Sequence, residues 1–406
     1  MSGRRKMPNS RDSSGKMSRG EKTLKKLERM SKALRHEEPD RVPINDFFWG
    51  SFVSRWKREL GLPEDATPAA YYDFDWTVVT PNLDPWVRPF EVLIETPEGV
   101  VVKTGFGAVL DKRFAHPMPE MKSWEIDTFE KLERVEFDDP RDRRRLFAAI
   151  DDQINGIGDG YLRADSAWID KVRAQWPDFP VYGSVIEPSE CLTRLVGQLN
   201  ALLWMGEYPE RMGGVINRIG AFYLELAAAE IEAGEGLLDG FVIWGDMAYK
   251  KSLFMSPVYW RAYFKPWVAA MTELAHSHGL PVIYHGCGNV SAVFEDFIEI
   301  GVDAYNPLEA KAGFDVVEMR RRYGHRIAFC GNGDVRIWET GDREAIRRDV
   351  LRKLNAARGG GYLFQSDHSV TGAVSGPTYD FIVKLVREYG RYPLSLGNYE
   401  EKERQD

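Results

Sequence analysis

From Phe179 onward the chain alternates short apolar runs, rich in β-branched and aromatic residues, with longer stretches whose apolar positions recur at helical spacing. Strands followed by amphipathic helices leave this pattern, and its repetition marks βαβ units and a parallel sheet. The runs predict strands at Val181–Val185, Gly240–Trp244, Pro281–Tyr284, Ala304–Asn306, Ile327–Cys330 and Tyr362–Phe364. Six strands with helices between them, in a chain of 406 residues, predict an α/β architecture of the (β/α)8 (TIM) barrel type, elaborated by insertions.

Upstream the pattern is less regular. Leu24, Leu27, Met30 and Leu34 recur at helical spacing between Glu21 and Arg35, ahead of a Pro-containing segment that ends at Pro43, and predict a helical extension leading into the fold. Apolar residues flank Pro97-Glu98-Gly99 between Phe90 and Phe106, the signature of a β-hairpin. The stretch 127–176 is charged and helical in flavour, with a Gly-rich break at 156–160 that reads as a loop. The expected organisation is a basic tail over 1–20, one barrel over 21–395 with an insertion at about 85–125, and a charged tail over 396–406.

Composition narrows the partners. Hydrophobic residues make up 43% and charged residues 29%, an ordinary globular balance with no apolar run of membrane length. A net charge of -8 argues against nucleic acid as the main partner and for a small-molecule substrate. Three cysteines, Cys191, Cys287 and Cys330, do not suggest a disulfide framework, so a soluble, cytoplasmic protein is expected. The first 36 residues carry twelve Lys or Arg against three Asp or Glu, with no apolar segment to make them a secretory signal.

Barrel enzymes place their chemistry on the carboxyl-terminal face of the sheet. Just past the predicted strands stand Glu187, Asp246, His285 and Cys287, Glu309, Asn332 and Asp334, then Asp367 and His368. Loops are polar for many reasons, so the repetition matters more than any one residue. In His285-Gly286-Cys287-Gly288-Asn289 the alternation of an extended chain puts imidazole and thiol on one side, within reach of one ion. Zinc favours such donors, and a catalytic site needs a third. The same pair also reads as a buried small thiol beside a satisfied histidine. Gly286 and Gly288 allow close approach of backbone or ligand.

The segment His276-Ser277-His278-Gly279, the strand before Tyr284, and His285-Gly286-Cys287-Gly288-Asn289-Val290 together resemble a signature block of the uroporphyrinogen decarboxylase superfamily, which includes corrinoid-dependent methyltransferases. Pro39-Asp40-Arg41-Val42-Pro43, Gly245-Asp246, Asn306-Pro307-Leu308-Glu309, Gly331-Asn332-Gly333-Asp334 and Gly360-Gly361-Tyr362 follow in the family's order, over residues 25–390. True uroporphyrinogen decarboxylases carry arginines near the start that clamp the substrate's carboxylates, whereas this chain reads Ile44-Asn45-Asp46-Phe47-Phe48-Trp49-Gly50, with none before Arg55. Asp73 and Asp75 are candidates for the family's pyrrole-binding aspartate. The methyltransferase branch is the nearer resemblance: its members hold zinc through His-x-Cys and a later cysteine, where this chain has His368.

The resemblance therefore implies zinc held by His285, Cys287 and His368, with a corrinoid (cobalamin), free or on a corrinoid protein, as methyl donor or acceptor. Glu187, Asp246 and Glu309 are the expected acid, base or auxiliary groups, with Asp246 also able to orient His285; Asn332 and Asp334 are expected at the cofactor. Zinc-dependent methyl transfer is the leading function. The alternatives are decarboxylation of a tetrapyrrole acid, a glycosidase-like use of the carboxylates, and a non-catalytic corrinoid- or tetrapyrrole-binding barrel.

Overall fold

The computed structural model describes residues 18–116, 118–151 and 164–399; the Gly-rich break, most of the basic tail and the last residues fall outside them. Seven parallel strands form the main sheet: β1 (Thr77–Val78), β6 (Val181–Ile186), β7 (Gly240–Trp244), β8 (Val282–His285), β9 (Ala304–Asn306), β10 (Ala328–Cys330) and β11 (Tyr362–Leu363), hydrogen-bonded in that order. A separate antiparallel sheet consists of β2 (Glu91–Thr96), β3 (Gly99–Lys103), β4 (Ala108–Arg113) and β5 (Glu120–Trp124), with β2 and β3 forming the hairpin around Pro97-Glu98.

The expectation of a closed eight-stranded barrel is corrected: the parallel sheet is curled and open, with β1 and β11 as its edges. Residues 42–48 run between those edges without becoming a strand, making only isolated bridges from Ile44 to Phe364 and from Phe48 to Val370. The cause lies in their amides. Pro43 has none to give, and the Ile44 N–H is taken by the Asp75 carboxylate at 2.7 Å, which leaves the Ile44 carbonyl, accepting from Asp75 N at 2.9 Å, as the backbone link toward β1.

Among the described residues, two cores form. The larger lies between the strands and the surrounding helices, including the long helix Pro209–Ala233. The smaller lines the inside of the curl, where Tyr182, Val242, Ile283, Ala304, Ala328, Cys330 and Leu363 meet Trp76. Met30, Ala33 and Leu34 of the helix Glu21–Leu34 belong to this inner core, and Phe47 and Trp244 pack against it. Met30 and Leu34 thus face inward as their spacing predicts, but the buried face is shared with charged residues. Leu24 is 54% exposed, while Lys26 and Arg29 are buried, held by Asp73 at 2.7 Å and by Asp40 and Asp75 at 2.6 and 2.5 Å.

Candidate metal centre

β8 ends in His285, and two residues later the chain presents Cys287, so both side chains lie at the carboxyl edge of the sheet. Gly288 sits at φ +82°, and a Cβ there would stand 2.6 Å from the Ala248 carbonyl carbon. The glycine is thus required by backbone packing against the loop after β7. A Cβ at Gly286 would meet the Tyr305 hydroxyl at 2.9 Å.

Cys287 Sγ lies 3.7 Å from His285 Nε2 and 3.8 Å from His368 Nδ1. Among the described residues two sets of three donors each fall within 4.8 Å of one another, Asp246–His285–Cys287 and Cys287–Glu309–His368. Cys287 is common to both, whereas His285 and His368 fall in different sets and do not complete one set with it at that distance. Asp246 accepts from the Cys287 N–H at 2.9 Å and comes within 3.9 Å of His285 Nε2. Glu309 accepts from Gly288 N at 3.2 Å, pairs with Lys311 at 3.1 Å and lies 3.4 Å from His368. Burial works against the Glu309 charge, but hydrogen bonding from His368 and the Lys311 ammonium outweigh it and hold the carboxyl below its ordinary range. Burial pushes the Cys287 thiol up, and the neighbouring Asp246 and Glu309 add to the effect, so this sulfur needs a positive partner to become a thiolate.

His368 is held through the residues before it. Asp367 accepts from Ala310 N at 3.0 Å and Val335 N at 3.1 Å, and Ser366 is bonded to Asp46. Asp46 also accepts from Tyr379 OH at 2.8 Å, and burial raises its carboxyl to about 7. It joins the Phe47 wall to the His368 loop, a role its place in Ile44–Gly50 did not reveal. Phe47 and Trp244 border the His285 ring, with centroids 6.4 and 4.8 Å away.

Other candidates lie elsewhere. Glu187 is fully buried behind Gly245, its Oε1 bonded to Ser189 and its Oε2 without a partner; burial raises its carboxyl to about 8. Asn332 uses its amide within the chain, donating to Leu308 O and Phe314 O at 2.6 and 3.1 Å and accepting from Val316 N at 3.0 Å. Asp334 caps the helix Val335–Glu339 and pairs with Arg336 at 2.7 Å. Neither joins the cup. Asp75, which precedes β1, lies at the opposite end of the sheet, saturated by Arg29, Arg41 and Ile44 N, and Asp73 pairs with Lys22 and Lys26. No helix among the described residues is long and apolar enough to cross a membrane.

The family model for uroporphyrinogen decarboxylase (URO-D) matches residues 148–389, more than half of the chain. No curated protein matches the sequence. Among solved structures, a methyltransferase from Methanosarcina mazei is similar over 90% of this chain and 98% of its own, with a TM-score of 0.60 and 17% identity, and shares the fold. A B12-independent methionine synthase from Shewanella sp. W3-18-1 overlaps 57% of this chain and 70% of its own at 13% identity and a TM-score of 0.37, too little to bear on the site.

Proposed function

This chain belongs to the uroporphyrinogen decarboxylase (URO-D) family, and from that premise we propose that it is a zinc-dependent methyltransferase moving a methyl group between a corrinoid and a small substrate. One observation carries the reading: a thiol at 3.7 and 3.8 Å from two imidazole nitrogens. Tetrahedral zinc, with bonds of about 2.3 Å to sulfur and 2.0–2.1 Å to nitrogen, separates such donors by ~3.6 Å. His285, Cys287 and His368 are the proposed ligands, with Asp246 and Glu309 as the carboxylates next to hand; the two imidazoles fall in different sets about Cys287, so binding one ion would draw the rings closer together.

When bound, the cation supplies Lewis acidity that stabilises an anionic oxygen or sulfur of the substrate. The protein's own groups do the rest. Asp246, the most exposed of the five donors and already anchoring the Cys287 N–H, is placed to take the proton a substrate heteroatom loses. Glu187, behind the loop that carries Asp246, is held neutral by burial up to about pH 8. Phe47 and Trp244 keep one side of the cup apolar. Tyr249 and, on the helix Gln198–Glu207, Leu199 and Leu203 are exposed. Through Ala201, Leu202 and Met205 that helix also lines a small crevice with Asp246, Met247 and Phe254.

Decarboxylation of a tetrapyrrole acid is disfavoured by the absence of arginine between Pro43 and Arg55 and by the engagement of Arg29 and Arg41 with Asp75. The test is metal analysis of the purified protein together with anaerobic incubation with methylcobalamin and a panel of thiols, alcohols and phenols, followed by absorbance. The expected result is about one zinc per chain, lost in Cys287→Ala and reduced in His368→Ala, and consumption of methylcobalamin with at least one acceptor class. A metal-free wild-type protein that leaves methylcobalamin intact would refute the proposal.

A further inference from the structure

Resting on the reading of His285 as a metal ligand, we propose that Asn306 is the positioning residue that decides which nitrogen of His285 carries the proton, and so which nitrogen is free to bind. His285 and Asn306 are lateral partners in the β8–β9 register. Asn306 Oδ1 lies within hydrogen-bond distance of His285 Nδ1, and the amide is 1% exposed.

The assignment follows from what the other end of the amide faces. Asn306 Nδ2 lies 3.1 Å from the backbone carbonyl of Cys330 and 3.2 Å from Gln365 Oε1. A backbone carbonyl only accepts, so the NH2 group must point at it, and Oδ1 is left facing the imidazole. Oδ1 also only accepts, so Nδ1 must carry the hydrogen. In the neutral ring the lone pair is then on Nε2, the nitrogen 3.7 Å from Cys287 Sγ. A main-chain carbonyl of β10 thus sets the tautomer, and no titratable group is needed to fix it.

Two alternatives fail on the same geometry. Asp246 is on the Nε2 side, 3.9 Å away, with its Oδ1 already accepting from Cys287 N, so it does not orient the ring through Nδ1. An aspartate at 306 would accept from Nδ1 equally well, but it would confront the Cys330 carbonyl and Gln365 Oε1 with a third acceptor. An amide satisfies both sides, which matters because Cys330 and Gln365 are also buried and an unpaired polar atom there is costly. The Cys330 thiol joins the network 3.1 Å from Gln365 Oε1.

The test uses the full chain with ¹⁵N-labelled histidine, freed of metal, and long-range ¹H–¹⁵N correlation at a pH where the ring is neutral, His285 being assigned by its loss in His285→Gln. The wild type should show the proton on Nδ1. Asn306→Leu, similar in size but without the amide, should release the ring to a mixture of tautomers and weaken Co²⁺ binding ten- to hundredfold, the usual penalty for losing a metal ligand's hydrogen-bond partner. Asn306→Asp should return the proton to Nδ1 and recover part of the affinity, at a cost in stability from its second oxygen facing the Cys330 carbonyl and Gln365 Oε1. A wild-type ring protonated on Nε2, or an unchanged Nδ1–H in folded Asn306→Leu, overturns the proposal. Should the leucine variant not fold, the wild-type tautomer decides. An Nδ1–H ring in a protein that binds no Co²⁺ would sink the metal reading while leaving this one standing, so the two failures are distinguishable.

Discussion

Replacing Glu187 with glutamine should make the metal-free protein more stable in alkali. Glu187 is wholly buried, and one of its carboxyl oxygens has no hydrogen-bond partner. Burial raises the group from an ordinary 4.5 to about 8. A folded-state pKa above the unfolded one means that the folded protein holds a proton the unfolded chain has released. The contribution to stability is fully present below about pH 4.5, declines as pH rises, and is gone above about 8. With about 1.36 kcal/mol for every tenfold change in acidity, the wild type should lose on the order of 5 kcal/mol across that window relative to Glu187→Gln, which cannot ionise. Urea unfolding of both proteins, treated with a chelator and measured from pH 5 to 9, gives the difference curve directly. The two curves should lie closest in acid, diverge as pH rises, and run parallel above about pH 8. Parallel curves across the range would refute the assignment of Glu187 as a buried neutral acid.

Two further outcomes follow from the geometry. Gly288→Ala places a Cβ 2.6 Å from the Ala248 carbonyl carbon at φ +82°, which should cost about 1–3 kcal/mol in chemical denaturation and displace Cys287 enough to weaken Co²⁺ binding. Asp75→Ala removes the partner of buried Arg29 and Arg41 and should destabilise the protein by about 3–5 kcal/mol in the same assay, without altering the spectrum of bound Co²⁺, since Asp75 lies at the far end of the sheet from the cup.

The six strands from Val181 to Tyr362 were legible because a parallel strand covered on both faces leaves a short, almost purely apolar run between helical stretches. The openness of the sheet was not legible. It depends on which group receives the amide of Ile44, and that is decided by Asp75, thirty-one positions away. The two-residue strand Thr77–Val78 also carries too few positions to show a period. Leu24, Leu27, Met30 and Leu34 marked a helix and, at Met30 and Leu34, part of its buried face; the rest was not legible, because Lys26 and Arg29 are drawn inward by aspartates of other segments. At the cup, His285 and Cys287 could be grouped because local alternation brings them together. Asn306 and Asp46 stayed hidden because each acts across strands, through partners that sequence spacing does not reveal.

The substitution of an imidazole where the resemblance implies a thiolate changes the cup less than the sequence suggests. An imidazole in place of a thiolate removes one negative charge, but His368 stands within the same set as Cys287 and the Glu309 carboxylate, and Asp246 stands in the set of His285. A cation on Cys287 would have one imidazole and one carboxylate beside it in either set, His285 with Asp246 or His368 with Glu309, so the charge lost at position 368 can be supplied again by oxygen. Imidazole and carboxylate donors suit a wider range of divalent ions than thiolates do, and fewer sulfurs leave the bound ion a stronger Lewis acid. The substrates best served by such a site carry oxygen at the reacting atom, because a weakly acidic hydroxyl needs more polarisation to become a nucleophile or a leaving group than a thiol does. A preference for alcohols or phenols over thiols in the methylcobalamin assay would bear this out, and strict selectivity for thiols would mean that the carboxylates at Asp246 and Glu309 do not face the ion.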